Sequence, residues 1–284
     1  MTDATRFQFN DPSVPKAYDE LLVPRLFEPW AKLLLDEAGL QLGECVLDIA
    51  TGPGTVARLA AMRLGPQGRI VATDIAQPML DIATGKTQPP TSAPIEYLQS
   101  PASPLTAATG TFDAVLCQQG LQFFRAAALR EMRRVLKPSG RAVIAVWAEL
   151  ERNEIYAAFH TALRATAPSD LAELITAPFS WPSGAALRAA AENAGFPQVR
   201  LVTRSRPMVL EGGLEQAVRA FAGTPTSPGV AALPQDVQDA FFACLRREMG
   251  RLLKDNKVIG QMTSNIIVGN LLDRDESRAT AVAA

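Results

Sequence analysis

Two acids and two glycines stand where they could build a ligand site. Asp48 lies in a short apolar run, CVLDIA (45–50), and TGPGT (51–55) follows at once. Gly52 and Gly54 let the backbone turn sharply and come close to a ligand with no Cβ in the way. A helix pattern over residues 57–64 begins there. A helix start offers free N–H groups and the positive end of its dipole. Asp74 stands 26 residues beyond Asp48, at the end of a second apolar run, GRIVATD (68–74). A carboxylate there can accept from both hydroxyls of a ribose. Turn, helix and second acid together describe a site for an adenosine-containing cofactor.

Two cofactor chemistries compete for that site. GPGTVA (52–57) matches G-x-G-x-x-A, the nicotinamide dinucleotide fingerprint, and so suggests an NAD(P)-dependent reductase. Asp48 argues the other way: just ahead of the glycines it repels a pyrophosphate and welcomes a cation. S-adenosylmethionine carries an ammonium and a sulfonium and no phosphate. A third reading is a non-catalytic interaction protein that keeps the cofactor fold.

Methyl transfer from a sulfonium releases a neutral thioether, so no acid need assist the leaving group. Alignment and water exclusion carry much of the rate, and a base is needed only if the acceptor loses a proton. The sequence shows no obvious catalytic dyad. His160, the one histidine, lies in the helical pattern EIYAAFHTALRAT, four residues after Tyr156 and on the same face. That pair could activate a phenol or a ring nitrogen, or simply pack. Gln119, Gln122 and Phe123 beyond the fourth strand, and Trp147 closing the fifth, are substrate candidates, with local packing as the alternative. One histidine and three scattered cysteines, Cys45, Cys117 and Cys244, leave no metal site and no disulfide framework.

These residues need strands to carry them. Apolar runs at 45–50, 68–74, 95–99, 112–118 and 141–147 alternate with helix patterns at 57–64, 77–84 and 125–136, with KPSG (137–140) as a turn. That alternation means βαβ units and a mostly parallel sheet, which binds ligands beyond the carboxyl ends of its strands. Residues 14–38 read as two short helices broken near Pro24. Later helices are expected at 151–165, 183–194, 214–221 and 233–254, and strands at 199–206 and 264–270.

The chain has 284 residues, enough to bury roughly 75% of its unfolded surface. It is 48% hydrophobic and 20% charged, which suits a globular domain. Twenty-eight basic against 29 acidic residues give no global field for a nucleic acid. Arg130, Arg133, Arg134 and Lys137 read as a solvated helix face. No run approaches the ~20 apolar residues of a membrane span, and the N-terminal MTDATRFQFNDPSVPK lacks a signal peptide's apolar core. The expectation is a cytoplasmic protein, monomer or homodimer, whose partner is a small-molecule substrate, with neither nucleic acid nor membrane.

VLDIATGPGTVARLA (46–60), VATDIAQPMLDIA (71–83), FDAVLCQQGLQFF (112–124) and LREMRRVLKPSGRAVIAVW (129–147) resemble class I S-adenosylmethionine-dependent methyltransferases. The resemblance is strongest to the group similar to the ubiquinone and menaquinone C-methyltransferases, and it covers about residues 40–150. It implies an α/β fold with a Rossmann-like seven-stranded sheet in the order 3-2-1-4-5-7-6, strand 7 antiparallel, with helical lid insertions at about 149–190 and 207–262. It implies helices at 1–40 that cover the site, a cofactor-binding half at 41–150, a lid with strands 6 and 7 at 151–274, and a frayed tail at 275–284. In this cofactor assignment Asp48, Gly52 and Gly54 hold the methionine end and Asp74 the ribose. Ile75 and Met79 flank the adenine, and Gln118 meets the amino-acid moiety. The resemblance places the helix of Tyr18 near the cofactor, where Tyr18 could close over the methyl group or simply pack against the domain. Ala50 stands where many members have glycine. Pro101 stands where many have an acid for the adenine amino group, so recognition there falls to Ser100 or the Ala102 backbone. The implied activity is methylation of a small aromatic or heterocyclic metabolite at carbon, nitrogen or oxygen, in secondary metabolism or on a quinone precursor. CQQG in place of [ND]PP[YF] after strand four, and the lack of paired cysteines, weigh against a macromolecular acceptor.

Overall fold

A computed structural model describes residues 13–124 and 127–271. The expected tail at 275–284 lies outside the described residues. The chain opens with helix α1 (Ser13–Ala17), a π-helical stretch (Tyr18–Phe27) and α2 (Glu28–Ala38). Strand β1 (Cys45–Ile49), α3 (Thr55–Leu64), β2 (Arg69–Asp74), α4 (Gln77–Thr84), β3 (Ile95–Gln99) and β4 (Phe112–Gln118) follow. Next come α5 (Ala127–Val135), β5 (Leu136–Trp147), α6 (Glu154–Thr166), α7 (Ser169–Leu174) and α8 (Gly184–Asn193). The remainder is β6 (Gln198–Leu210), α9 (Gly213–Ala220), α10 (Ser227–Ala231), α11 (Gln235–Gly250), β7 (Leu253–Lys254) and β8 (Lys257–Asn270).

The sheet order is β3-β2-β1-β4-β5-β8-β6, with β7 paired only to β8. With β8 as the seventh strand of the path, this is the expected order, and the fold class is the expected one. β1 pairs in parallel with β2 and β4, β2 with β3, and β4 with β5. The central strands β1 and β4 are buried almost throughout, which is why they read as continuous apolar runs. Ala31, Leu34 and Leu35 of α2 and Val56, Ala57 and Ala60 of α3 pack on Val46, Ala114 and Leu116 in one core cluster. Fully burying a leucine there stabilises by about 1.5–3 kcal/mol.

Four expectations are corrected. Pro24 does not break the helix. The turn around it widens, with the Glu28 N–H donating to the Val23 carbonyl five residues back. A wider turn accommodates the missing N–H and the ring's bulk. KPSG is not a turn but part of β5, and the pairing jumps there from Phe112↔Leu136 to Ala114↔Arg141. Pro138 cannot donate to the ladder, so the strand bulges, and Lys137 ion-pairs with Asp113 at 2.8 Å. The last long helix stops at Gly250 rather than continuing to Lys254. A hairpin follows it, with Leu253↔Val258 and Lys254↔Lys257 in register. Its two-residue turn, Asp255 and Asn256, has φ of 48° and 61°, a conformation these residue types tolerate. The basic face of α5 is not simply solvated: Arg133 donates to the Gly195 carbonyl, and Arg134 pairs with Glu131 and donates to the Leu105 and Ala107 carbonyls.

The described residues gather into two compact units. One holds residues 30–146 and 183–203 and the chain from Asn265 on; the other holds residues up to Pro29, 147–182 and 204–264. In the second unit α6 packs on α11. A run of ring contacts joins Phe179, Tyr156, Phe159, Phe221, Phe241 and Phe242, with centroids 4.8–5.5 Å apart. Asn153, fully buried, fixes the start of α6. Its amide donates to the Ala148 and Glu149 carbonyls and accepts from the Thr263 N–H at 2.9 Å. Among the described residues no helix is long and apolar enough to cross a membrane, and no cluster could hold a metal ion. All three cysteines are free.

Candidate cofactor site

The first unit presents the ends of β1, β2 and β4 together. After β1 the chain turns through Ala50, Thr51, Gly52, Pro53 and Gly54 into α3. Gly52 and Gly54 both have left-handed φ, 54° and 76°. They differ in what a side chain would meet. A Cβ on Gly52 would enter open space, whereas on Gly54 it would lie 2.7 Å from the Tyr97 hydroxyl. Gly52 thus leaves room for a ligand, while the bare Cα of Gly54 is needed for Tyr97.

The turn is tethered on several sides. Asp74 Oδ2 accepts the Gly52 N–H at 2.8 Å, and Oδ1 accepts the Ala76 N–H at 2.9 Å. Lys86 donates to the Pro53 carbonyl at 3.2 Å. Asp48 Oδ2 accepts the Thr51 hydroxyl at 2.6 Å. Asp48 is 1% exposed, and its Oδ1 has no hydrogen-bond partner among the described residues.

Burial pushes the Asp48 carboxyl up to about 7, against the pull of the Thr51 hydroxyl and the Ala57 amide; Asp74 adds to the rise. Burial also raises Asp74, opposed by the amides of Ala76, Gly52 and Ile75. A buried carboxyl with an unanswered oxygen is costly unless a partner arrives. A cationic ligand group is the natural partner, and a pyrophosphate is not.

The other candidates of this unit fall beside these. Ile75 is 70% exposed, unusual for an apolar residue next to a half-buried acid, while Met79 is buried. The Ser100 N–H donates to the Asp74 carbonyl at 2.9 Å and its hydroxyl to the Pro101 carbonyl at 3.1 Å. Pro101 is exposed and Ala102 half-buried. Gln118 ends β4, and Gln119 follows with φ 56° and its N–H on the Ala145 carbonyl. The Gln122 amide donates back to the Gln119 carbonyl, a local bond. Phe123 is half-buried. Ala50 takes φ 56°, a cost that glycine would escape. Its Cβ is accommodated because Gly120 has none: a Cβ there would lie 2.7 Å from it.

The remaining candidates belong to the second unit. Tyr18 stacks on Phe27 at 4.5 Å, and Phe27 meets Trp147 at 6.2 Å, so one ring series joins a cofactor candidate to a substrate candidate. Tyr156 and His160 stand four residues apart on α6, with no hydrogen bond between them. Tyr156 is buried among Phe159 and Phe179, and burial raises its phenol far above the usual range. His160 is half-buried. Burial lowers its pKa, Arg164 lowers it further, and Glu151 opposes.

A methyltransferase-domain family model matches residues 47–144, the stretch from β1 into β5. The ubiquinone/menaquinone biosynthesis C-methyltransferase UbiE of Hahella chejuensis is 33% identical over 138 residues, covering 46% of this chain and 55% of the relative. UbiE of Francisella philomiragia is 34% identical over the same length, again 138 residues. The chain thus spans about half the length of these relatives. In fold it is similar to phosphoethanolamine N-methyltransferase 2 of Haemonchus contortus in complex with S-adenosyl-L-methionine. There the TM-score is 0.58 at 15% identity, over 95% of this chain and 58% of that one. It is also similar to the [4+2]-cyclase SpnF, with TM-score 0.52 at 16% identity, over 87% and 82%.

Residues 47–144 thus match a methyltransferase domain, which accords with the S-adenosylmethionine-dependent reading of the sequence. The chain's cofactor is S-adenosylmethionine, and the reductase suggested by G-x-G-x-x-A is set aside. The buried acid ahead of the methyltransferase glycine turn is the physical reason the fingerprint misleads. The sequence reading missed Tyr97. Asp48, Ala72 and Tyr97 are in register on three neighbouring strands, so their side chains share one face of the sheet. Only strand pairing reveals that row, although the alternation of IEYLQ would have marked Tyr97 as facing opposite to Glu96.

Proposed function

We propose that the protein transfers a methyl group from S-adenosylmethionine to a small aromatic or heterocyclic acceptor. The observation that carries this is the buried Asp48 carboxyl, with one oxygen unanswered, beside a glycine turn anchored by Asp74. When bound, the cofactor supplies a methyl group on a sulfonium that departs as a neutral thioether.

In this reading Asp48 takes the ammonium group of the cofactor's methionine end, and Gly52 lets the backbone approach it. Gln118 orients the same end. Asp74 accepts from the ribose hydroxyls with the lone pairs its two amide bonds leave free. Ile75 and Met79 bracket the adenine, and Ser100 and the Ala102 backbone serve its edge where Pro101 offers neither carboxylate nor N–H. Gln119, Gln122 and Phe123 shape the acceptor's place. In the second unit Tyr18, Trp147 and His160 remain candidates, and the depressed pKa of His160 favours the neutral ring that a base requires. Tyr156 does not share that work, because its phenol is held protonated by burial.

The relatives named as C-methyltransferases of ubiquinone and menaquinone biosynthesis support an aromatic acceptor. The experiment is a methyl-transfer assay with labelled S-adenosylmethionine against phenols, quinone precursors and nitrogen heterocycles. Labelled product with at least one class is expected. Cofactor binding with no transfer to any of them would contradict the substrate class.

A further inference from the structure

The ends of β2 and β3 are joined by side chains as well as by the ladder. Asp74 and Gln99, the last residues of the two strands, are in register, so their side chains share one face of the sheet. The Ser100 N–H continues the pairing onto the Asp74 carbonyl at 2.9 Å. Both side chains then reach the same peptide group, the one between Ile75 and Ala76. Gln99 Nε2 donates to its carbonyl, that of Ile75, at 3.0 Å, and Asp74 Oδ1 accepts its N–H, that of Ala76, at 2.9 Å. The Ile75 amide also acts on the Asp74 carboxylate. A peptide group held at both its donor and its acceptor has little freedom to rotate. Yet the side chain next to it is the apolar Ile75, held 70% exposed just ahead of α4.

We propose that Gln99 is a positioning residue for the cofactor's adenine: by holding the Ile75 carbonyl it fixes Ile75 as the apolar surface on which the base lies. This rests on the cofactor reading above, in which Asp74 binds the adjoining ribose. Isoleucine is branched at Cβ and stiff about its first side-chain torsion, so its backbone aims it. Gln99 holds that backbone from the strand beside the ribose acid. A base laid on Ile75 removes apolar area from water, and a residue already held in place need not be ordered on binding. Pro101 offers the base neither carboxylate nor N–H, so the apolar contact carries more of the affinity. The role calls for a donor at position 99: a carboxylate there would face the Ile75 carbonyl with no hydrogen to give.

The test is calorimetric titration with S-adenosylhomocysteine, which carries the adenine and cannot turn over. Wild type, Gln99→Ala, Gln99→Glu, Ile75→Ala and the double variant Gln99→Ala with Ile75→Ala are compared. Gln99 and Ile75 are both exposed, so the ligand-free unfolding midpoints are expected to stay near that of the wild type. Ile75→Ala is expected to weaken binding about tenfold through lost apolar contact. Gln99→Ala is expected to weaken it about fivefold, and Gln99→Glu at least as much. In the Ile75→Ala background, Gln99→Ala is expected to cost less than about twofold, because the side chain it positions is gone. A merely structural contribution would weaken binding alike in both backgrounds, and that result would overturn the positioning role while leaving the cofactor reading intact. So would wild-type affinity in Gln99→Ala or in Gln99→Glu. Wild-type affinity in Ile75→Ala would overturn the apolar surface and the role of Gln99 with it. No binding by the wild type would overturn the cofactor reading itself.

Discussion

Asp74 Oδ2 accepts the Gly52 N–H at 2.8 Å, so the acid that ends β2 also anchors the glycine turn that follows β1. The residue proposed to bind the ribose therefore also holds the loop proposed to receive the methionine end. Asp74→Ala removes both functions. Affinity for S-adenosylhomocysteine is expected to fall ~10- to 150-fold, the worth of hydrogen bonds to a charged group. The ligand-free protein is also expected to unfold at a lower temperature. An unchanged dissociation constant would show the ribose assignment to be wrong, and an unchanged midpoint would show the tether to be idle.

Ala50 and Gly120 form a matched pair, one carrying a Cβ in a left-handed conformation and the other leaving room for it. Gly120→Ala alone is expected to destabilise by ~1–3 kcal/mol through overpacking. In an Ala50→Gly background the same change should cost less, giving a coupling above ~0.5 kcal/mol. The residual cost reflects Cys117 and Phe124, which also crowd that position. Urea unfolding of the four proteins measures the cycle, and strict additivity would refute the pairing.

Stability should depend on pH through Asp48. Its folded value of about 7 lies above the unfolded ~3.9, so the native state holds more protons across that window. The contribution is fully present below the unfolded value and is lost as pH rises through about 7, by up to ~4 kcal/mol. Asp48→Asn should flatten this dependence and unfold at a higher temperature than wild type at pH 8 without ligand. A wild-type midpoint that rises from pH 5 to 8 while the variant's does not would contradict the sign.

His160→Ala should lower turnover by ~10²-fold or more on an acceptor that must lose a proton, with cofactor affinity unchanged. Tyr156→Phe should keep turnover within a few-fold, since its phenol is packed and protonated. Full activity in His160→Ala would return the histidine to a structural role. A loss in Tyr156→Phe comparable to that of His160→Ala would restore the pair.

The sheet was legible because its central strands are buried on both faces and so read as apolar runs. β3, β4 and α4 have the bounds that the pattern of IEYLQ, FDAVLCQ and QPMLDIAT suggests. The sheet order came with the family resemblance. What escaped the sequence reading depends on partners distant in the chain. Pro24 looked like a break because a widened helical turn leaves no mark in residue spacing. β6 and β8 run longer than expected, because their outer residues alternate in burial instead of forming an apolar block. The Asp255–Asn256 turn did have a local signal, two residues that accept left-handed φ, but it was submerged in a helical pattern. Of the site, the acids and glycines were legible from type and spacing. Tyr97 was not, since nothing but the register of β1, β2 and β3 sets it beside Asp48.

The most direct measurement is thermal unfolding with S-adenosylmethionine, S-adenosylhomocysteine, NADP and NAD in parallel. At a hundredfold excess over its dissociation constant a ligand of the folded state adds ~2.7 kcal/mol, about 5–10 °C for a chain of this size. The two sulfur ligands should raise the midpoint, and the two nicotinamide ligands should leave it unchanged. A rise with NADP or NAD alone, or with none of the four, would contradict the account.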